Sequence, residues 1–417
     1  MPKRRRWTPV RGEANRVYDP LERAALGALD LVGRVVFGAA RVLAPKALPP
    51  FDASGVREVL VLRLDRIGDM IMCLPALAEL RAALPQARIR LAVGRWSQEL
   101  AKSAPVDEIL VWSAPWVGRA NEGAESFGAL MKKAAALREQ QLDLAIDLQG
   151  DVRAALLLWR ACARRRVGYA NTGGRYLLTH VVPLDETVSW VEQNRRAVAT
   201  ALGRDAPAAP RVDPLSEDDR GFARRLLATL GLDGRRPLVA IHPSGGRRIK
   251  QWPAARWREI AARLQKDFHA TILITGTVAD AGLARELQEE LPARAIDLTG
   301  KLSLRETLAV LERVQLFLSP DTGTMHMACA VGTPSVSVFG PSDPRRYFSG
   351  GSGESGSRHV VVRAELWCAP CNLIRKPPAE CAAAEAPECL RLVSVESVYR
   401  EAARSLREIS GVASAAS

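Results

Sequence analysis

The sequence predicts an α/β protein of two consecutive doubly wound halves, each a parallel sheet covered by helices, behind an N-terminal amphipathic helical extension. Three observations carry this. Short apolar runs alternate with helical stretches from Arg57 to about residue 163, as parallel βαβ units require. The same alternation restarts at Leu238. Between them lies a weakly patterned, Pro/Ala-rich stretch from Asp205 to Pro214, the best linker in the chain. At 417 residues the chain has room for two or three domains of ~100–200 residues each. With 47% hydrophobic and 25% charged residues, it is neither wholly disordered, collagen-like nor a membrane channel.

The extension covers residues 1–50. Asp19 and Pro20 open a helix as N-cap and first residue, with Glu22 in the first turn. From Leu21 to Leu43 the apolar residues Leu21, Ala25, Leu29, Val32, Val36, Ala39 and Leu43 recur every three or four positions, while Arg23, Asp30, Arg34 and Arg41 form a second stripe. A broad apolar face beside a thin, mostly basic one suits a helix lying in a membrane interface; packing on its own domain is the other reading. Charge favours the membrane. Of the formal net charge of +13, six units fall before Ala47, including the run Lys3-Arg4-Arg5-Arg6, which anionic lipid would attract. Pro45, Pro49 and Pro50 then end the segment. No window holds the ~18 consecutive apolar residues a spanning helix needs, and the basic start leads into the polar stretch Trp7 to Asp19 instead of a signal-peptide core. A cytoplasmic protein, peripheral on the inner face of the membrane, is expected.

The first half, residues 51–207, is expected to place strands at Val59 to Leu64, Ile89 to Val93, Ile109 to Trp112 and Leu142 to Leu148. Helices are expected at Ile71 to Leu84 and Ala154 to Ala163. The second half, residues 208–395, has strand candidates at Leu238 to His242, Thr271 to Thr275, Leu316 to Ser319 and Ser335 to Phe339. Its helix candidates are Ala254 to Lys266, Ala279 to Leu291, Leu304 to Arg313 and Thr324 to Val331. Residues 396–417 form a final helix and tail. Two such halves put a ligand cleft between domains.

Open parallel sheets bind ligands beyond the carboxyl ends of their strands, where helix N-termini present free N–H groups. Three segments lie at such places. In Arg63-Leu64-Asp65-Arg66-Ile67-Gly68-Asp69, Asp69 stands at a helix start that keeps a carboxylate ionised, as a general base needs. Asp65 is the rival carboxylate, and an ordinary N-terminal acid is the plain reading. In the segment His242 to Pro253, Ser244, Gly245 and Gly246 lead into Arg247, Arg248 and Lys250; glycine-rich backbone beside cations suits a pyrophosphate, and a solvated basic loop is the alternative. In the segment Ser319 to Ala328, Asp321, Thr322, Gly323 and Thr324 offer a second phosphate or ribose cradle. His326 follows, as a ligand contact or a structural histidine. No Gly-x-Gly-x-x-Gly follows the first strand, and Gly300-Lys301 is not a Walker loop, so dehydrogenase and ATPase readings lose support. Four of the seven cysteines cluster at Cys368, Cys371, Cys381 and Cys389. They read as a structural zinc site, a redox-dependent disulfide or free thiols.

These segments, in this order from about Arg57 to Val398, resemble glycosyltransferase family 9, the family of the ADP-heptose:lipopolysaccharide heptosyltransferases. The resemblance rests on Ile67-Gly68-Asp69, Leu74-Pro75-Ala76-Leu77, Asp147-Leu148-Gln149-Gly150, His242-Pro243-Ser244-Gly245 with Lys250 and Trp252-Pro253, Asp321-Thr322-Gly323 with His326, Gly332-Thr333-Pro334 and Phe339-Gly340-Pro341. It implies the GT-B fold, two Rossmann-like domains facing a cleft with a final helix crossing back to the first. It also implies inverting transfer of a sugar, heptose in most members, from a nucleotide diphosphate sugar such as ADP-heptose to a lipid-linked envelope glycan. No further cofactor is required. By the resemblance Asp69 is the base; Lys250 is the cation on the donor diphosphate; Ser244, Gly245, Asp321, Thr322, Gly323 and His326 line the donor; and Gln149 and Arg153 fall where an anionic acceptor is read. The family's bacterial members usually begin near their first strand, so the extension is a departure. A noncatalytic membrane- or nucleic-acid-binding protein is the alternative, but aromatics make up only 5% of the chain and no stacking platform for bases is evident.

Overall fold

The computed structural model describes residues 20–43, 52–117, 123–208, 211–232, 234–293, 295–351 and 357–415. Lys3 to Arg6, Arg11, the Asp19 cap and the Pro45, Pro49 and Pro50 linker lie outside the described residues, as do the side chains of Arg23 and Arg41. The chain divides into two compact units, with the break between Val212 and Asp213.

The first unit holds β1 (Glu58–Arg63), β2 (Arg88–Val93), β3 (Glu108–Val111), β4 (Leu144–Asp147), β5 (Arg165–Gly168) and β6 (His180–Val181), all parallel, in the order β3-β2-β1-β4-β5-β6. The second holds β7 (Leu238–Ile241), β8 (Thr271–Ile274), β9 (Ile296–Asp297), β10 (Leu316–Pro320), β11 (Ser335–Phe339) and β12 (His359–Arg363), also parallel, in the order β12-β11-β10-β7-β8-β9. Each order reverses beside the first strand, between β1 and β4 and between β7 and β10. This is the Rossmann arrangement, in which ligands sit at the reversal. The central strands are apolar without alternation, as sheets covered on both faces demand: Val59, Leu60, Val61 and Leu62 are fully buried, as are Val239, Ala240 and Ile241.

Helix α1 (Pro20–Leu43) belongs to the first unit. Helix α2 (Ile67–Ala83) starts earlier than the apolar pattern indicates, so Gly68 and Asp69 lie inside its first turn. Asp69 is the third helical residue, and its carboxylate accepts the Arg66 N–H at 3.1 Å, satisfying one donor the helix cannot. The Val395–Ala415 helix puts Val398, Tyr399, Ala402, Ala403 and Leu406 into the second unit's core. Residues 396–415 are therefore part of that unit rather than a separate C-terminal piece. Within its unit this helix packs on the sheet and on the Ala254–Phe268 helix.

Candidate active site

At the reversal in the first unit, β1 ends on Arg63, an arginine only 2% exposed. Its guanidinium lies 3.7 Å from an Asp65 oxygen and 3.4 Å from an Asp69 oxygen. It also donates to the main-chain carbonyls of Asp69, at 3.1 Å, and of Leu148 after β4. Burial opposes the charge on Arg63, but Asp65 and Asp69 outweigh burial and raise its pKa. Arg63 thus ties the loop after β1 to the loop after β4 and sets a fixed positive charge behind Asp69. The Asp69 side chain is 26% exposed, so it keeps access to solvent.

Across the reversal, Asp147 is fully buried and accepts the N–H groups of Gln149 at 2.9 Å and Gly150 at 3.0 Å. Burial, aided by Asp65 and Asp151, pushes its pKa up to about 8 against those two hydrogen bonds. Gly150 has φ of +85°, and a Cβ there would stand 2.6 Å from Asn171 Nδ2, so the turn requires glycine. The Gln149 Oε1 is buried without a hydrogen-bond partner, an acceptor left open at the ligand end of the sheet. Arg153 is already engaged. It bonds Asp151 at 2.7 and 2.8 Å and Glu22 of α1 at 2.8 Å, and lies over the Trp116 ring.

At the reversal in the second unit, the loop after β7 folds back on itself. A Cβ on Gly245 would stand 2.6 Å from the backbone carbon and oxygen of Lys250, so only glycine permits this approach. The turn delivers Lys250 Nζ to 2.9 Å from Asp321, which follows β10 and is 6% exposed. Burial opposes ionisation of Asp321, but Lys250, a Ser342 hydrogen bond and His326 prevail and lower its pKa. Thr322 precedes the Gly323–Val331 helix and gives it no side-chain cap. The Thr324 Oγ1 in its first turn is buried without a partner. His326 Nδ1 is 2.9 Å from Ser349 Oγ. His242 is buried beside Thr275, and burial pulls its pKa down to about 4, so it is neutral at pH 7. The sequence-predicted donor residues Ser244, Gly245 and Lys250 therefore lie in the loop after β7, and Asp321, Thr322, Gly323 and His326 in the turn and helix start after β10, on the two sides of one switch point.

Residues 130–380 match the description of Glycosyltransferase family 9 (heptosyltransferase). The chain belongs to this family. It is 30% identical to lipopolysaccharide heptosyltransferase 1 of Pseudomonas aeruginosa over 333 residues, 75% of this chain and 86% of the relative. Among solved structures, E. coli ADP-heptose lps heptosyltransferase II gives a TM-score of 0.65 at 22% identity, covering 85% of this chain and 99% of its own. E. coli heptosyltransferase WaaC with ADP gives 0.60 at 23% identity, covering 84% of this chain and 99% of its own. The protein is a glycosyltransferase of the GT-B fold.

Several residues of this glycosyltransferase site have no role assigned from sequence. Arg63 was legible only as a charge closing an otherwise apolar strand, and Asp147 only as part of a quoted motif. Thr324, by contrast, reads from sequence as part of the second cradle, and its hydroxyl is the orphaned one. For the cysteine cluster the sequence leaves a zinc site, a disulfide and free thiols open. Among the described residues no group of three or more His, Cys, Asp or Glu is arranged to hold a metal. All seven cysteines are free thiols. Burial first, then the neighbouring Cys371, Cys368 and Cys381, pushes Cys389 up to about 12, and Cys381 is raised as well. Cys381 and Cys389 sit on the short helices Ala379–Ala383 and Glu388–Arg391, near enough to Cys368 and Cys371 for the four thiols to affect one another.

Proposed function

We propose that this glycosyltransferase moves heptose from ADP-heptose to a lipopolysaccharide-type core acceptor with inversion at the anomeric carbon. The observation that carries the donor half is the second unit's switch point, where Lys250, Asp321, the uncapped helix start at Thr322 and the open Thr324 hydroxyl converge. A diphosphate would take hydrogen bonds from the helix N–H groups and charge from Lys250, with Gly245 admitting it close to backbone. Lys250 would then neutralise the departing ADP. Asp321 and His326 would fix the donor's orientation.

The acceptor half rests on Asp69, solvent-accessible and held by the Arg66 N–H and Arg63. As base it takes the proton of the acceptor hydroxyl while that oxygen bonds to the anomeric carbon and the bond to ADP breaks. A single displacement needs one base and no protein nucleophile. Gln149, with its open carbonyl, is the stronger acceptor contact; Arg153 acts through the segment it clamps. The reaction takes place on the cytoplasmic side, peripherally at the membrane that holds a lipid-linked acceptor. The test is a thermal-shift panel of nucleotide sugars followed by transfer to heptose-deficient lipopolysaccharide core. ADP-heptose is expected to stabilise the protein most and to be consumed. Stabilisation by another nucleotide sugar with no response to ADP-heptose would reject the donor assignment.

A further inference from the structure

Helix α1 is docked by its narrow face. Leu26, Asp30, Gly33 and Phe37 share one side of the helix. Leu26 is 6% exposed, and the Asp30 carboxylate accepts the Gly174 N–H at 2.6 Å. A Cβ on Gly33 would overlap the Tyr176 ring, and Phe37 stacks on Tyr176 at 5.1 Å and meets Trp159 edge-on at 5.4 Å. The Glu22 bond to Arg153 closes the other end. The opposite face is broad, apolar and in solvent: Leu31, Val32, Val35 and Val36 are 57–67% exposed and Leu29 is 43% exposed. A helix stabilised only by its own domain buries its apolar stripe and exposes its polar one. Here five large aliphatic side chains face outward.

We infer that this outward face of α1 is a bilayer-docking surface, and that α1 is a rigid bracket between membrane and catalytic unit and not a loose tether. The inference rests on the membrane reading above and adds the face and the geometry. Charge selects the occupant. Arg34, whose side chain is 67% exposed while pairing with Asp30, flanks the apolar face, and Lys3, Arg4, Arg5, Arg6, Arg11 and Arg16 precede it in sequence; that combination fits anionic headgroups above acyl chains. Direction matters too. The first turn of α1 meets Arg153 at the start of the Val152–Arg160 helix and its fifth turn meets Trp159 at the end, so the two helices run the same way. The start of α1 therefore lies at the end of the unit that carries the loops after β1 and β4, with Asp69 and Gln149. Docking by this face holds that end beside the bilayer.

The test is co-sedimentation of the full chain with vesicles of phosphatidylcholine alone or with phosphatidylglycerol, comparing wild type with Val32→Ser/Val35→Ser/Val36→Ser. The expected result is binding to the anionic vesicles that falls about tenfold or more in the variant, with an unchanged melting temperature, since these side chains point to solvent. Transfer to a deacylated, soluble acceptor should be unchanged while transfer to a vesicle-embedded acceptor falls. Wild-type binding by the variant overturns the inference, as does a concentration-dependent dimer that the triple substitution disperses. Loss of transfer to both acceptors in wild type would instead count against the proposed reaction and leave the vesicle result to decide the docking face.

Discussion

Lys250 and Asp321 each supply the other's counter-charge, with the Asp321 side chain only 8% exposed. Truncating the lysine therefore does two things. Lys250→Ala removes the cation meant for the diphosphate and strands a buried carboxylate, at a cost of about 3 kcal/mol. We expect a lower melting temperature together with a roughly tenfold weaker ADP affinity in calorimetric titration, with Lys250→Arg recovering stability better than affinity, because a guanidinium does not place its charge as an ammonium does. Asp147 makes a separate prediction about pH. Its folded pKa, about 8, lies above the ordinary carboxylate value near ~3.9. Below the lower value both states are protonated and nothing is lost. As pH rises through the interval the unfolded chain ionises first, so stability falls until the folded group also ionises. Asp147→Asn should flatten the decline in melting temperature between about pH 5 and 8; an unchanged slope would mean that Asp147 is ionised in the fold. Asp69, Lys250 and Asp321 were legible in the sequence because glycines, a helix start and like chemistry surround them. Arg63 was not, since its meaning comes from the carboxylates and the Leu148 carbonyl that folding brings to it.

The loop after β7 depends on the Gly245 approach to the Lys250 backbone. Gly245→Ala must move the Lys250 main chain, so the Michaelis constant for the donor should rise by about tenfold or more while Asp69 chemistry is untouched. A change confined to turnover, with the donor constant unaltered, would contradict this role for the loop. At the level of elements the apolar core strands β1, β2, β7, β10 and β11 were readable within a residue or two, because buried parallel strands are continuous apolar runs. β3 was as well, but β5, β6, β9 and β12 were not. β5 is Arg-Arg-Val-Gly, β6 His-Val and β9 Ile-Asp, too short and polar to register except through pairing with a neighbour already in place. The start of α2 was missed for a related reason: Gly68 and Asp69 carry no apolar signal, and the Arg66 and Asp69 cap defines that end. Helix α1 was legible as amphipathic, but the pattern could not show that Asp30, Gly33 and Phe37 form the docked side.

The two units carry separate cores, one around Leu60, Leu62 and Leu158, the other around Trp252, Trp257 and Ile272. The loops proposed to hold the donor both belong to the second. Scanning calorimetry with ADP should raise the transition of the second unit and leave the other in place, because a ligand stabilises only what binds it. Equal shifts of both would place the nucleotide elsewhere. The net charge of +13 also divides at this scale: six units fall within residues 1–46, in and around helix α1, and Lys250 belongs to the proposed donor loop. The account as a whole turns on Asp69 as the base of a direct displacement. The most direct measurement is transfer of heptose from ADP-heptose to heptose-deficient core by wild type and Asp69→Asn, with ADP affinity measured alongside. The account predicts an inverted product from the wild type and a loss of about a thousandfold or more in turnover in the variant with ADP binding retained; near-normal turnover by Asp69→Asn, or a product of retained configuration, would contradict it.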